Sequence, residues 1–128
     1  MAITYRIAPD ERIVYLTTTG EATFAEWREA LLSALSDPAY RKGFNFLSDR
    51  RDQSDLPDTN FVRAAAALLK EHSAAIDGCR WATVAGRDAL YGMACMFSTF
   101  SEGTCIQVAA FRDYEDARSW LAGDPAAR

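Results

Sequence analysis

The chain has 128 residues, of which 49% are hydrophobic and 25% are charged, a balance typical of a folded globular protein. This length predicts a single domain over residues 1–128 with a full hydrophobic core, and excludes a chain that needs disulfides or metals to fold. The net charge of -4, from 18 acidic and 14 basic residues without a basic cluster, argues against a nucleic-acid partner.

The N-terminal third predicts a β-hairpin followed by a helix. Apolar and polar residues alternate over residues 3–8, as on a half-buried strand, and residues 12–19 form a β-branched and aromatic run that pairs back as a hairpin. The segment Thr23-Phe24-Ala25-Glu26 matches a capping box and starts a helix, which Asp37-Pro38 ends. The beginning of the chain lacks the basic start and apolar run of a signal peptide.

The middle third predicts a buried strand, a polar loop and a second helix. Residues 43–48 are short and largely apolar, as in a strand covered on both faces. The charged run 49–57 then predicts a solvated, partly self-paired loop. The second helix begins near Asp58 or Thr59 and extends to Ile76, with an alanine-rich tract that lets a neighbouring helix come close.

The last third predicts strand, helix, strand and helix. Residues 81–85 form the fourth strand, and Asp88 is the expected cap of the helix that follows. The fifth strand covers residues 104–111. Asp113 caps the last helix, whose acidic first turn suits the helix dipole.

The third predicted helix, which follows Asp88, has an unusual composition. Between Asp88 and Glu102 the chain carries no charged residue, whereas a surface helix normally shows a charged outer face. We therefore expect this helix to be covered on more than one side. The cover is either the rest of the chain, a ligand, a protein partner or a second copy of the chain, and the sequence leaves these alternatives open.

The order of the elements predicts an α/β fold. Strand–helix–strand units favour parallel pairing with right-handed crossovers, and the opening hairpin makes the sheet mixed. No apolar stretch approaches the roughly 20 residues that span a bilayer, so we expect a cytoplasmic protein with no transmembrane segment.

Three local patterns carry a resemblance to a known family. They are the strand leading into Asp49-Arg50-Arg51, the run Trp81–Ala85 with Tyr91-Gly92-Met93-Ala94 behind it, and the ending from Val108 to Leu121. Over almost its whole length the chain resembles the SpoIIAA-like proteins, which are small relatives of the STAS domain of anti-sigma factor antagonists. The resemblance implies a mixed sheet of about five strands, four helices packed mainly on one face, and a non-enzymatic role.

The resemblance also implies a site between helices. SpoIIAA-like proteins are thought to bind nonpolar molecules there, and methionine offers adaptable contacts for such ligands. We therefore predict that the second and third helices bind a nonpolar small molecule or a protein partner, with a homodimer as one form of the latter. The predicted groove residues are Phe61, Ala65, Leu68, Leu69, Tyr91, Met93, Met96, Phe97 and Phe100.

An alternative function is a phosphorylation switch. True anti-sigma antagonists carry a phosphorylatable serine in an Asp-Ser-Ser/Thr setting at the start of the helix after the third strand, where this chain has Asp58-Thr59-Asn60. Thr59 is then the nearest acceptor and Ser54 the second, with Arg50 and Arg51 close enough to hold the phosphate. The simpler interpretation is that Thr59 or Asp58 only caps the helix.

A third hypothesis is an enzyme that uses the acidic loop 49–58 together with His72, the single histidine. It lacks a recognisable nucleophile–base pair, so we expect no catalytic residue. The cysteines Cys79, Cys95 and Cys105 form no C-x-x-C pair and are expected to be buried free thiols. We accordingly expect neither a metal nor a cofactor.

Overall fold

The computed structural model describes residues 2–76, 78–102 and 106–123, and within them the chain forms five strands and five helices. The strands are β1 (Ile3–Ala8), β2 (Ile13–Gly20), β3 (Asn45–Gln53), β4 (Arg80–Val84) and β5 (Gln107–Phe111). The helices are α1 (Phe24–Ser36), α2 (Thr59–Glu71), α3 (Ser73–Ile76), α4 (Asp88–Phe100) and α5 (Tyr114–Leu121).

The five strands form one mixed sheet in the order β1-β2-β3-β4-β5. β1 and β2 are the antiparallel hairpin, and every later pairing is parallel. Because the parallel strands follow one another in the same direction across the sheet, right-handed crossovers place all the connecting helices on one face. The predicted α/β class, the N-terminal hairpin and the one-sided helix layer are confirmed.

The two faces of the sheet have separate cores. On the side of α1 to α4 the core is built on Trp27, Phe46, Leu69 and Trp81, all at most 1% exposed. On the other side α5 covers a smaller core, which includes Leu47, Val84 and Trp120. Successive residues of a strand point to opposite faces, so Phe46 and Leu47 separate into the two cores.

The number of helices differs from the predicted four. His72 is the C-cap of α2, with backbone angles outside the helical region, and a separate four-residue turn of helix, α3, follows it. This break redirects the chain and places Ile76 in the core with no exposed surface. None of the helices among the described residues is long and apolar enough to cross a membrane.

The predicted loop over residues 49–57 is wrong in its first half, because β3 continues to Gln53. Residues of this extension pair in parallel with the end of β2, where Thr17 lies opposite Asp49 and Gly20 opposite Gln53. Backbone pairing with a neighbouring strand therefore outweighs the polar character of the side chains, and the alternation of faces runs on through the charged residues.

The expected capping role of Asp88 is also wrong. Arg87 occupies the N-cap of α4 without a side-chain hydrogen bond, and Asp88 is the first helical residue. Its carboxylate instead forms an ion pair with Arg112, which follows β5. β5 begins at Gln107, and the predicted strand residues 104 and 105 lie outside the described residues.

The start of α2 gives a test of which residue caps it. Asp58 is the N-cap, and its Oδ1 accepts a hydrogen bond of 2.8 Å from the backbone N–H of Phe61. Asp58→Ala should therefore lower the free energy of unfolding by about 1 kcal/mol, the usual loss for a removed cap. Thr59→Ala is the matched control and should change it by less than about 0.5 kcal/mol. Urea denaturation of both variants measures this, and an equal loss in the two would contradict the assignment.

Candidate functional site

A cavity of about 30 Å³ lies between α2 and α4, above β3 and β4. Residues from both helices, from both strands, from α1 and from the loop before α2 surround it. They are Trp27, Ser48, Arg50, Pro57, Phe61, Val62, Ala65, Trp81, Thr83, Leu90, Met93, Ala94 and Phe97. In open parallel sheets, ligands bind toward the carboxyl ends of the strands, which is where Arg50 and Thr83 lie.

Small side chains create this cavity. Ser48 and Thr83 are register partners on β3 and β4, and both face the helix layer. One step earlier on the same face, the rings of Phe46 and Trp81 stack with centroids 4.9 Å apart and fill the space completely. At the position of Ser48 and Thr83 the sheet presents two small hydroxyl side chains instead of two aromatic rings, and alanines of α2 and α4 lie above them. These small side chains do not fill the space between the sheet and the helices, so unfilled volume remains.

Four aromatic rings line the cavity, from Trp27, Phe61, Trp81 and Phe97. The ring centroid of Trp27 lies 6.1 Å from that of Trp81 and 6.3 Å from that of Phe61. Phe97 packs edge-on against Trp81 with centroids 6.0 Å apart. A wall of this kind favours an apolar, polarisable occupant.

The cavity also has polar groups without partners. The hydroxyl oxygen of Ser48 and the indole nitrogen of Trp27 are buried, each in a residue only 1% exposed, and neither has a hydrogen-bond partner among the described residues. An unmade hydrogen bond of a buried polar group typically costs about 1–3 kcal/mol. Native proteins satisfy nearly all such groups, so a water or another molecule in the cavity is the partner that these two atoms can take.

Arg50 adds a cation to the same cavity. Its Nη1 donates a 2.7 Å hydrogen bond to Oε1 of Gln53, and its guanidinium lies 5.7 Å from the ring centroid of Phe61. Burial lowers the pKa of the Arg50 guanidinium to about 10, although the carboxylate of Asp55 opposes this shift. The side chain therefore stays charged at neutral pH although the residue is half-buried.

The loop at the mouth of the cavity is fixed by polar contacts. Nε2 of Gln53 donates to Oδ1 of Asp55 at 3.0 Å. From the start of α4, Nη2 of Arg87 donates to the backbone carbonyls of Gln53, Ser54 and Asp55 at 3.4, 3.2 and 3.3 Å. These contacts join the connection between β3 and α2 to the start of α4. The N-terminal ends of α2 and α4 are therefore held next to each other.

The predicted groove residues divide into three groups. Phe61, Ala65, Met93 and Phe97 line the cavity. Leu68 and Leu69 are buried in the core of the helix layer. Tyr91, Met96 and Phe100 are half-buried outside the cavity wall, where the rings of Tyr91 and Phe100 lie under the guanidinium groups of Arg112 and Arg63.

Sequence reasoning missed the polar part of the site. The sequence predicts Ser48 at the end of a short strand and Arg50 in a loop, and it assigns no site role to Trp27 or Trp81. A period-2 pattern extended from Phe46 would have placed Ser48 and Arg50 on the face of the helices. No pattern in the sequence indicates that Trp27 lies beside them.

The helix α4, which carries no charged residue after Asp88, is covered on one side rather than all round. Leu90, Ala94 and Phe97 are its buried residues. Its outer surface carries small side chains, and Cys95 is exposed, which corrects the expectation that the thiols are buried. That expectation holds for Cys79, while Cys105 lies outside the described residues.

The candidate phosphoacceptors Thr59 and Ser54 are both exposed. The two arginines expected beside them have other partners, since Arg50 lies in the cavity and Arg51 forms a two-pronged ion pair with Asp49 on the α5 side. Burial by itself raises the pKa of the Asp49 carboxyl, but the hydrogen bonds and charge of Arg51 outweigh it and hold that pKa below its usual value. Phosphorylation of Thr59 or Ser54 stays a prediction.

The residues of the proposed enzyme site do not come together. His72 caps the C-terminus of α2 and Asp58 the N-terminus, so the 13-residue helix separates them by roughly 20 Å. Within the described residues, no three His, Cys, Asp or Glu side chains are grouped so that they could hold a metal ion.

Comparison with solved structures shows a likeness of fold. An uncharacterised protein of the DUF3478 family from Shewanella loihica PV-4, described as having a SpoIIAA-like fold, superimposes with a TM-score of 0.60. The match covers 94% of this chain and 92% of that chain at 20% sequence identity. No family model and no curated protein matches the chain. The SpoIIAA-like fold expected from the sequence is confirmed.

Proposed function

We propose that this SpoIIAA-like chain is a cytoplasmic, non-enzymatic carrier or regulatory protein that binds a nonpolar small molecule between α2 and α4. The observation that carries the proposal is the cavity with an aromatic wall and two buried polar atoms that lack partners. An ordinary core would fill the space above Ser48 and Thr83 with side-chain atoms and would leave no unpaired donor there.

The size of the cavity sets a condition on binding. A volume of 30 Å³ holds about two water molecules, whereas sites for drug-sized ligands have about 300–1,000 Å³. A ligand therefore has to move side chains between α2 and α4. The half-buried, unbranched side chain of Met93 at this wall can change rotamer at little cost.

Filling the cavity tests the proposal. Ala94 is 5% exposed and lines the cavity, so Ala94→Phe places a ring in the space the ligand needs. Titration with the neutral fluorescent naphthalene N-phenyl-1-naphthylamine should show binding to the unchanged protein and at least about tenfold weaker binding to Ala94→Phe, a difference of about 1.4 kcal/mol.

The matched control is Ala89→Phe, the same substitution on the exposed side of the same helix. It should leave the affinity within about twofold of the unchanged protein, because Ala89 does not line the cavity. Urea denaturation of both variants shows that they are folded. Absence of binding to the unchanged protein, or equal binding to the three proteins, would reject the cavity as the site.

A further inference from the structure

We propose that the floor of the cavity recognises a carboxylate, so that the ligand is an apolar molecule with one carboxylate end, as in a fatty acid. This inference rests on the proposed function and adds the chemistry of the head group. The groups that would bind the carboxylate are the guanidinium of Arg50, the hydroxyl of Ser48 and the indole N–H of Trp27.

The first argument is the incomplete pairing of the Arg50 guanidinium, which is half-buried and interacts with the carboxylate of Asp55 only at longer range than an ion pair. No carboxylate of the described residues forms an ion pair with it, and its single hydrogen bond to a described residue goes to the neutral amide of Gln53. A guanidinium has five N–H donors in a planar fork, so most of this fork is unused. Buried charges are normally paired, and an anion in the cavity would supply the missing partner.

The second argument is the kind of polar atom that accompanies Arg50. Trp27 can only donate a hydrogen bond through its ring nitrogen, and the hydroxyl of Ser48 can donate one as well. Both atoms are buried without partners and both residues line the cavity. Three donors from α1 and β3 thus face one small space, which suits an acceptor-only group and disfavours an ammonium head group.

The third argument concerns which anion fits. The deepest part of the site is small, and it contains one cation. A carboxylate is planar, carries one charge and matches the guanidinium fork through two parallel hydrogen bonds. A phosphate monoester would bring a second charge into a buried space, and the described residues that line the cavity include no further cation to balance it.

The test compares ligands that share one tail and differ in the head group. Dodecanoate, dodecanol and dodecyl phosphate are titrated below their aggregation concentrations, with tryptophan fluorescence as the readout because Trp27 and Trp81 line the cavity. Dodecanoate should bind about tenfold more tightly than dodecanol, since dodecanol cannot form charge-assisted hydrogen bonds to the guanidinium of Arg50. Tighter binding of dodecyl phosphate than of dodecanoate would overturn the assignment to a carboxylate.

The variant Arg50→Gln separates the head group from the tail. It should lower the affinity for dodecanoate about tenfold and leave the affinity for dodecanol within about twofold of the unchanged protein. Arg51→Gln is the matched control, because Arg51 is the next residue, lies on the opposite face and is paired with Asp49; it should change neither affinity. Ser48→Ala is a smaller change at the same end of the cavity. It should lower the affinity for dodecanoate but not for dodecanol, and it replaces Arg50→Gln in the test if that variant fails to fold.

The outcomes distinguish this inference from the proposed function. If dodecanol and dodecanoate bind equally well and Arg50→Gln affects neither, the cavity binds apolar molecules but does not read a carboxylate, and the inference is overturned. If neither ligand binds the unchanged protein, the proposed function itself fails. Selective loss of dodecanoate in Arg50→Gln supports both.

Discussion

Replacing Trp81 with alanine is expected to lower the free energy of unfolding by about 3–5 kcal/mol, the largest effect of any single change considered for this protein. Trp81 is 1% exposed and is the second residue of β4, where its side chain packs in the core on the side of α1 to α4. Its ring stacks on Phe46 with centroids 4.9 Å apart and meets the rings of Trp27 and Phe97 at 6.1 and 6.0 Å. Alanine would remove the ring from contact with all three.

The measurement is urea denaturation monitored by far-ultraviolet circular dichroism. The control is Leu56→Ala, because Leu56 is the large hydrophobic residue that the structure leaves 51% exposed, and this change should stay within about 0.5 kcal/mol. A loss below about 1 kcal/mol for Trp81→Ala would mean that the surrounding rings close over the gap, and would contradict the tight packing described for this layer.

Asn45→Ala is expected to lower the free energy of unfolding by about 2 kcal/mol through lost hydrogen bonds rather than lost packing. The side chain of Asn45 joins three elements. Its Oδ1 accepts from the backbone N–H of Arg80 at 2.9 Å, and its Nδ2 donates to the backbone carbonyl of Leu121 at 3.0 Å. It therefore connects the start of β3 to the start of β4 and to the end of α5.

Two partly buried backbone groups would lose their partners in this variant, and that desolvation penalty sets the size of the effect. The matched control is Asn60→Ala, in which the same amide is removed from an exposed position of α2. It should change stability by less than about 0.5 kcal/mol. Hydrogen exchange should also show faster exchange at the N–H of Arg80 in Asn45→Ala; unchanged protection there would mean that water replaces the amide and that the contact adds little.

The local signals in the sequence predicted the order of the main elements well. The capping box at the start of α1 is present, since Glu26 N–H donates to Thr23 Oγ1 at 3.1 Å and Thr23 N–H donates to Glu26 Oε1 at 3.0 Å. The hairpin and the caps of α2 and α5 follow from residues within a few positions of one another. Signals of this range act before any tertiary contact forms, so they can be read from the sequence directly.

The polar half of β3 could not be read in this way. Its residues favour a loop by their own chemistry, and they form a strand because the end of β2 lies alongside to pair with them. The extra length puts Arg50 on the face of the helices and Arg51 on the face of α5. Because the strand end was predicted too early, the sequence did not place Arg50, the one cation among the described residues that line the cavity, at the site.

The sequence by itself determined that this chain folds as an α/β protein with a mixed sheet and an apolar third long helix, because composition, periodicity and caps are local properties. Tertiary structure alone decided that Trp27 from α1 meets Ser48 and Arg50 from β3 at one small cavity. Residues more than twenty positions apart become neighbours through strand register and helix packing. These depend on the pairing energy of the whole sheet, and no local pattern of residues encodes them.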